Sequence, residues 1–200
     1  DTVSHLEEQA GRANRIGISM PGVVNRSGEP IMVANLPWLR DKPFRPDLER
    51  LFERPVHIGN DANCFALSEA TDGSAAGAKL VFGVILGTGV GGAIVVNGQI
   101  VTGANAIAGE WGHNPLPWRT PEDGAETMCG CGQTGCIETW LNGAALSRDY
   151  QALSGSEAKA KDISRLAEEN DAAATQAISQ YAERLARALA SAINFFDPDI

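Results

Sequence analysis

The sequence predicts an α/β protein in two lobes, and two observations carry that prediction. Between Val56 and Thr71 a short apolar run meets a tight polar turn and then helical sequence, the strand–turn–helix grammar of α/β domains. From Lys79 the pattern changes to apolar runs broken by glycines and an Asn-Gly pair, which reads as antiparallel hairpins. The change sets an expected lobe boundary near residue 78, with 1–78 part of a smaller α/β lobe and 79–200 part of a larger one.

Asp1 to Ala10 reads as the end of a helix closed by Gly11, and Arg15–Met20 as a short buried strand stopped by Pro21-Gly22. Pro46 to Phe52 suits a helix with Pro46 in its first turn and Leu48, Leu51 and Phe52 on one face. Val56–Gly59 is a second strand, running through Asn60-Asp61-Ala62-Asn63 into a helix from Ala62 to about Thr71. Leu80–Leu86, a Gly87–Gly92 loop, Ala93–Val96, Asn97-Gly98 and Gln99–Val101 read as strand, loop, strand, type I′ turn and strand. Beyond the cysteines the chain is helical, with Ile178, Tyr181, Leu185, Leu189, Ala192 and Phe196 in one stripe suited to a core first and to a subunit interface second. Asp1 is no initiator, and Phe195–Ile200 stops where a turn enters a new strand, so a central fragment of a longer protein is expected.

Composition narrows the function classes. Hydrophobic residues make up 44% and charged residues 20% of 200, which excludes a disordered tail. Sixteen basic against twenty-five acidic residues give a net charge of −9, which repels a phosphate backbone and argues against nucleic-acid binding. No apolar run approaches the length of a membrane span. Without a signal peptide ahead of Asp1 or any mark of an oxidising compartment, a cytoplasmic location is expected.

Three groups of residues could carry chemistry. Gly87-Thr88-Gly89-Val90-Gly91-Gly92 lets backbone N–H groups approach an anion without Cβ atoms in the way, or it is simply a tight turn. It has neither the Walker lysine nor the dinucleotide-binding spacing. Cys129, Cys131 and Cys136 place three thiols within eight residues, and His113 upstream offers a fourth ligand. Three thiolates and an imidazole match a closed zinc site better than disulfides, which would leave one thiol unpaired. Cys64 reads as a small buried apolar residue. Among the carboxylates, Asp61 ends a strand beside Asn60 and Asn63, Glu110 lies three residues before His113, and Glu138 two after Cys136. A metal joining His113 to the cysteines would bring Glu110 and Glu138 together in a pocket suited to a polyhydroxylated ligand. Taken singly, Asp61 is also a good helix N-cap and Glu138 an ordinary first-turn acid.

In this order, Asn60-Asp61-Ala62-Asn63, Leu86–Gly92, Gly109-Glu110-Trp111-Gly112-His113 and Cys129–Glu138 resemble the ROK family of bacterial sugar kinases and repressors. The resemblance implies an actin-like, ribonuclease-H-like two-lobed fold and ATP-dependent phosphorylation of a hexose hydroxyl. Carried over by position, it implies Asp61 as general base, and Asn35, Asn60, Asp61, Glu110, His113 and Glu138 as sugar contacts. Gly87, Thr88, Gly89, Gly91 and Gly92 would approach the ATP phosphates. Zn²⁺ on His113, Cys129, Cys131 and Cys136 would be structural, His113 using its second nitrogen for the sugar, while Mg²⁺ would arrive with ATP.

The family's Asp-x-Gly-Gly-Thr phosphate loop and its adenosine-side loop are expected outside these residues, so the isolated fragment is expected to be inactive. Trp111–Trp118 and Ala34–Trp38 look most like the fructokinase (manno(fructo)kinase) branch, while Asn63–Glu69 and the cysteine knuckle are shared with N-acetylglucosamine kinases. The rival of another class is a sugar-responsive repressor, whose DNA-binding segment would precede Asp1; a zinc-stabilised binding module ranks last. Homodimers are common in the resembled family, which is the basis for expecting one.

Overall fold

In the computed structural model, residues 2–25, 29–32, 37–39 and 42–200 are described. The chain divides into two compact units, Asp1–Phe65 with Thr102–Ala108, and Ala66–Val101 with Gly109–Ile200. The division runs through a helix, and residue 78, where a lobe boundary is expected, lies inside the second unit.

In the first unit, helix α1 (Thr2–Ala10) ends at Gly11, whose φ of +80° lets its N–H reach the Glu7 carbonyl at 2.9 Å. Strand β1 (Ile16–Met20) alternates between half-buried and exposed, and only Met20 is buried, so the expected fully buried strand is corrected to a half-covered one. A short antiparallel pair, β2 (Val23–Val24) and β3 (Pro30–Met32), follows the Pro21-Gly22 turn. Helix α2 spans Phe44–Phe52, but Leu51 is 68% exposed, so its apolar face is narrower than the spacing implies. Strand β4 (Val56–Asn60) pairs in parallel with β1 from Ile16↔Val56 to Met20↔Asn60. It passes directly into helix α3 (Asp61–Thr71).

The second unit holds an antiparallel sheet of β5 (Leu80–Leu86), β6 (Val90–Val96) and β7 (Gln99–Ile100). Asn97 and Gly98 take φ of 50° and 73°, the positive pair a type I′ turn needs. The glycine loop is shorter than expected: Gly91 and Gly92 belong to β6, paired with Ile85 and Val84. Gly92 is small for a packing reason, since a Cβ there would sit 2.6 Å from Trp111 Cδ1.

Helices α4 (Glu138–Leu141), α5 (Gly143–Ser154), α6 (Ala160–Glu168) and α7 (Ala172–Phe196) complete this unit. Tyr181, Leu185 and Leu189 of α7 pack on a core of Val90, Trp111, Leu116, Ile137, Trp140 and Leu141. Ile178 packs on a second cluster around Leu146, Tyr150 and Ile163. The stripe is therefore core. Among the described residues no helix is long and apolar enough to cross a membrane.

Candidate functional site

The candidate residues fall in both units and are described within each. In the first, β4 delivers Asn60 and Asp61 to its carboxyl end, where α/β folds gather ligands. Asn60 is the helix cap: its Oδ1 accepts the Asn63 N–H at 3.0 Å, and its Nδ2 donates to the Gly22 carbonyl (3.0 Å) and to Asp61 Oδ1 (3.1 Å). The Ala62 N–H also donates to Asp61 Oδ1, at 2.9 Å. The capping that a lone aspartate would supply is thus done by its neighbour. Asp61 is exposed, and among the described residues its Oδ2 has no partner. Asn35, expected to touch a sugar, lies outside the described residues. Cys64 is exposed rather than buried, its Sγ 2.7 Å from where a Cβ on Gly59 would lie, so the expected buried apolar role is corrected.

In the second unit, Glu110 and His113 sit on a turn laid flat against β6. Gly109 (φ +92°) and Gly112 permit this, because a Cβ on either would strike the β6 backbone, the Gly92 carbonyl in one case and the Val90 carbonyl in the other. The Trp111 indole N–H donates to the Gly91 carbonyl at 2.9 Å, anchoring the turn. His113 Nε2 faces Glu110 Oε2 at 3.8 Å, and His113 Nδ1 faces Cys129 Sγ at 3.5 Å.

The cysteine knuckle is held to this turn by backbone, independently of any metal. The Ile137 N–H donates to Asn114 O at 2.8 Å and the Leu116 N–H to Gly135 O at 3.0 Å. A tetrahedral ion at ordinary zinc distances spaces two sulfurs about 3.8 Å apart and a sulfur and a nitrogen about 3.5 Å apart. Cys131 Sγ and Cys136 Sγ are 3.7 Å apart, and the four ligand atoms of His113, Cys129, Cys131 and Cys136 lie within 4.8 Å of one another. Burial pushes the Cys136 thiol up to about 12, with Cys131 and Cys129 adding to the rise. Burial also raises Cys129, whereas the Gln133 backbone lowers Cys131. Three thiols and an imidazole at these spacings make a donor set that fits zinc.

Glu138, in the first turn of α4, reaches the glycine loop. Its Oε2 accepts the Val90 N–H at 3.0 Å, and its Oε1 lies 3.5 Å from Cys129 Sγ. The Gly87 N–H is engaged by the Gly89 carbonyl (2.9 Å), and the Gly143 N–H, opening α5, donates to Gly87 O (2.8 Å). Among the described residues, the amides of Thr88 and Gly89 and the Thr88 hydroxyl are then the loop's remaining donors. A groove of about 690 Å³ lies between α5 and the start of α6, beginning at Ala144 next to Gly143. Ser147, Arg148, Gln151, Lys159 and Asp162 line it.

Sequence reasoning missed the buried cluster behind the knuckle. Arg184 is 3% exposed, donates to Asp123 Oδ1 (3.1 Å) and to Asp149, and lies over the Trp140 ring at 5.3 Å. Arg187 adds a second guanidinium, its Nη2 2.6 Å from Asp123 Oδ1. The signal was two arginines three residues apart within an alanine-rich apolar helix.

A family model described as the ROK family matches residues 1–200. An N-acetyl-D-glucosamine kinase of Pectobacterium carotovorum subsp. carotovorum is 38% identical over 204 residues, covering 100% of this chain and 67% of the relative. The solved ROK hexokinase of Thermus thermophilus superposes with a TM-score of 0.81 at 32% identity, covering 99% of this chain and 64% of that one. The ROK family glucokinase of Streptomyces griseus, solved with glucose and AMPPNP, gives 0.82 at 29% identity, covering 98% and 66%. The chain thus spans about two thirds of the length of these relatives, and its fold is the actin-like fold of ROK sugar kinases.

Proposed function

The chain belongs to the ROK family, and from that premise we propose that the protein is an ATP-dependent kinase that phosphorylates a sugar hydroxyl, with Asp61 as its general base. The observation that carries the proposal is the state of Asp61: an exposed carboxylate at the end of β4, oriented through one oxygen by Asn60 and the Ala62 N–H, with the helix cap supplied by Asn60. A carboxylate so held can orient an attacking hydroxyl with its second oxygen and take the proton as the bond to phosphorus forms.

Within the second unit, Glu110 and the Nε2 of His113 form an adjacent acceptor and donor for sugar hydroxyls, with Glu138 a further acceptor. Asn35 and Asn60 complete the sugar contacts that the family resemblance implies. The Thr88 and Gly89 amides and the Thr88 hydroxyl suit the phosphates of ATP, while Gly91 and Gly92 contribute by seating the loop on Trp111. The groove beside Gly143 suits the nucleoside, with Arg148 and Lys159 supplying positive charge and Ser147 and Gln151 hydrogen-bonding groups. Zn²⁺ on His113, Cys129, Cys131 and Cys136 would fix the imidazole through Nδ1 and leave Nε2 for substrate. With four protein ligands it would have no open position and would be structural. Mg²⁺ would enter with ATP and offset the charge on its phosphates.

The curated relative's name favours N-acetylglucosamine over the fructose that the Trp111–Trp118 segment suggests. A coupled ADP-release assay on the full-length protein, run across N-acetylglucosamine, glucose, mannose and fructose, decides between them. The highest kcat/KM is expected with N-acetylglucosamine. ADP release that no sugar stimulates would overturn the kinase reading.

A further inference from the structure

One carboxylate stands between the cysteine cluster and the glycine loop. Glu138 Oε1 lies 3.5 Å from Cys129 Sγ, while Oε2 accepts the Val90 N–H at 3.0 Å. Gly89, beside Val90, is pressed against the same oxygen: a Cβ there would lie 2.5 Å from Glu138 Oε2. Gly89 has no positive φ, and Gly87, two residues earlier, would place a Cβ in open space. A side chain at 89 would therefore meet the carboxylate and fit only by displacing it. A second tie from the same segment, Gly143 N–H to Gly87 O at 2.8 Å, holds the other end of the loop.

We propose that Glu138 is a positioning residue for the nucleotide: it clamps the Gly89–Val90 backbone so that the loop's amides are set for phosphate before any sugar is bound. The inference rests on the kinase reading for the identity of the anion, but it assigns Glu138 a role that a sugar contact alone does not have. A charge-assisted hydrogen bond from a backbone N–H is among the stronger ties available to a loop. Removing it leaves the Gly89–Val90 turn free to sample other conformations, and the cost appears as weaker phosphate binding. Because the same side chain faces the cysteine cluster, anything that moves Glu138 there also moves the loop, and the coupling is reciprocal.

The test is binding of Mg-ADP to the full-length protein by calorimetry, with no sugar present. Glu138→Ala and Gly89→Ala are each expected to weaken binding about tenfold, since losing a hydrogen bond to a charged acceptor costs on that order. Glu138→Gln keeps a carbonyl able to accept the Val90 N–H and is expected to stay within about threefold of wild type. Hydrogen exchange at the Val90 amide gives a second readout, expected to accelerate in Glu138→Ala and to remain slow in Glu138→Gln. Wild-type affinity for Mg-ADP in Glu138→Ala, or an unchanged Val90 exchange rate, overturns the proposal. A wild-type protein that binds no Mg-ADP would sink the kinase reading instead, and the Val90 exchange rate then decides the clamp by itself.

Discussion

Cys136 concentrates the chemistry of the cysteine cluster in one residue. Burial and two neighbouring thiols push it up to about 12, so without a cation it holds its proton throughout the physiological range. Metal binding must then expel protons, and affinity falls as pH falls. Full-length protein purified without chelators is expected to carry one zinc per chain by atomic emission, to lose it on acidification, and to contain far less in the Cys136→Ser variant. Full occupancy in that variant would contradict the assigned ligand set. The cysteine spacing was legible because ligand spacing is local. The cap was not: Asn and Asp are both good caps, and only the hydrogen bond from the Asn63 N–H to Asn60 tells which of the two adjacent residues does it.

At the scale of elements, the turn carrying Glu110 and His113 lies on β6 because two glycines allow contact with its backbone. Gly112→Ala is expected to lower stability by about 1–3 kcal/mol in urea unfolding, the usual cost of forcing atoms into a packed contact. An unchanged midpoint would show that the turn yields easily. Composition predicts a single loop over Gly87–Gly92, yet half of it is strand. Glycine pairs can be needed for a turn or for a large neighbour, and Trp111 is too distant in sequence for its contact with Gly92 to be seen there.

The segment before the knuckle is fastened to α7 by Asp123. Burial raises its carboxyl, but hydrogen bonds from Arg187, the Thr120 N–H and Arg184 outweigh that and hold it at about 2. A folded value below the usual 3.8 stabilises the fold above pH 4 and loses that stabilisation as pH falls through 2. The difference corresponds to about 2 kcal/mol. Asp123→Ala, which takes their shared carboxylate from the buried Arg184 and the half-buried Arg187, is expected to cost about 3–5 kcal/mol at pH 7 and to flatten the acid side of the stability profile. Equal acid sensitivity in both proteins would refute the assignment.

Of the two units, one bears Asp61 and the other the cysteine cluster, the glycine loop and the groove. Both halves could be read in the sequence, because each motif is a short run whose residue types suit one task. The Arg184–Asp123 cluster and the Glu138 clamp could not, since their partners stand 61 and 48 residues apart and only folding joins them. The central proposal is that the Asp61 carboxylate takes the proton from the sugar hydroxyl. Its most direct test is kcat of the Asp61→Asn variant of the full-length protein at saturating ATP and sugar. The expected result is a fall of about 10²–10⁴-fold with sugar affinity held within a few-fold; a kcat equal to wild type would contradict it.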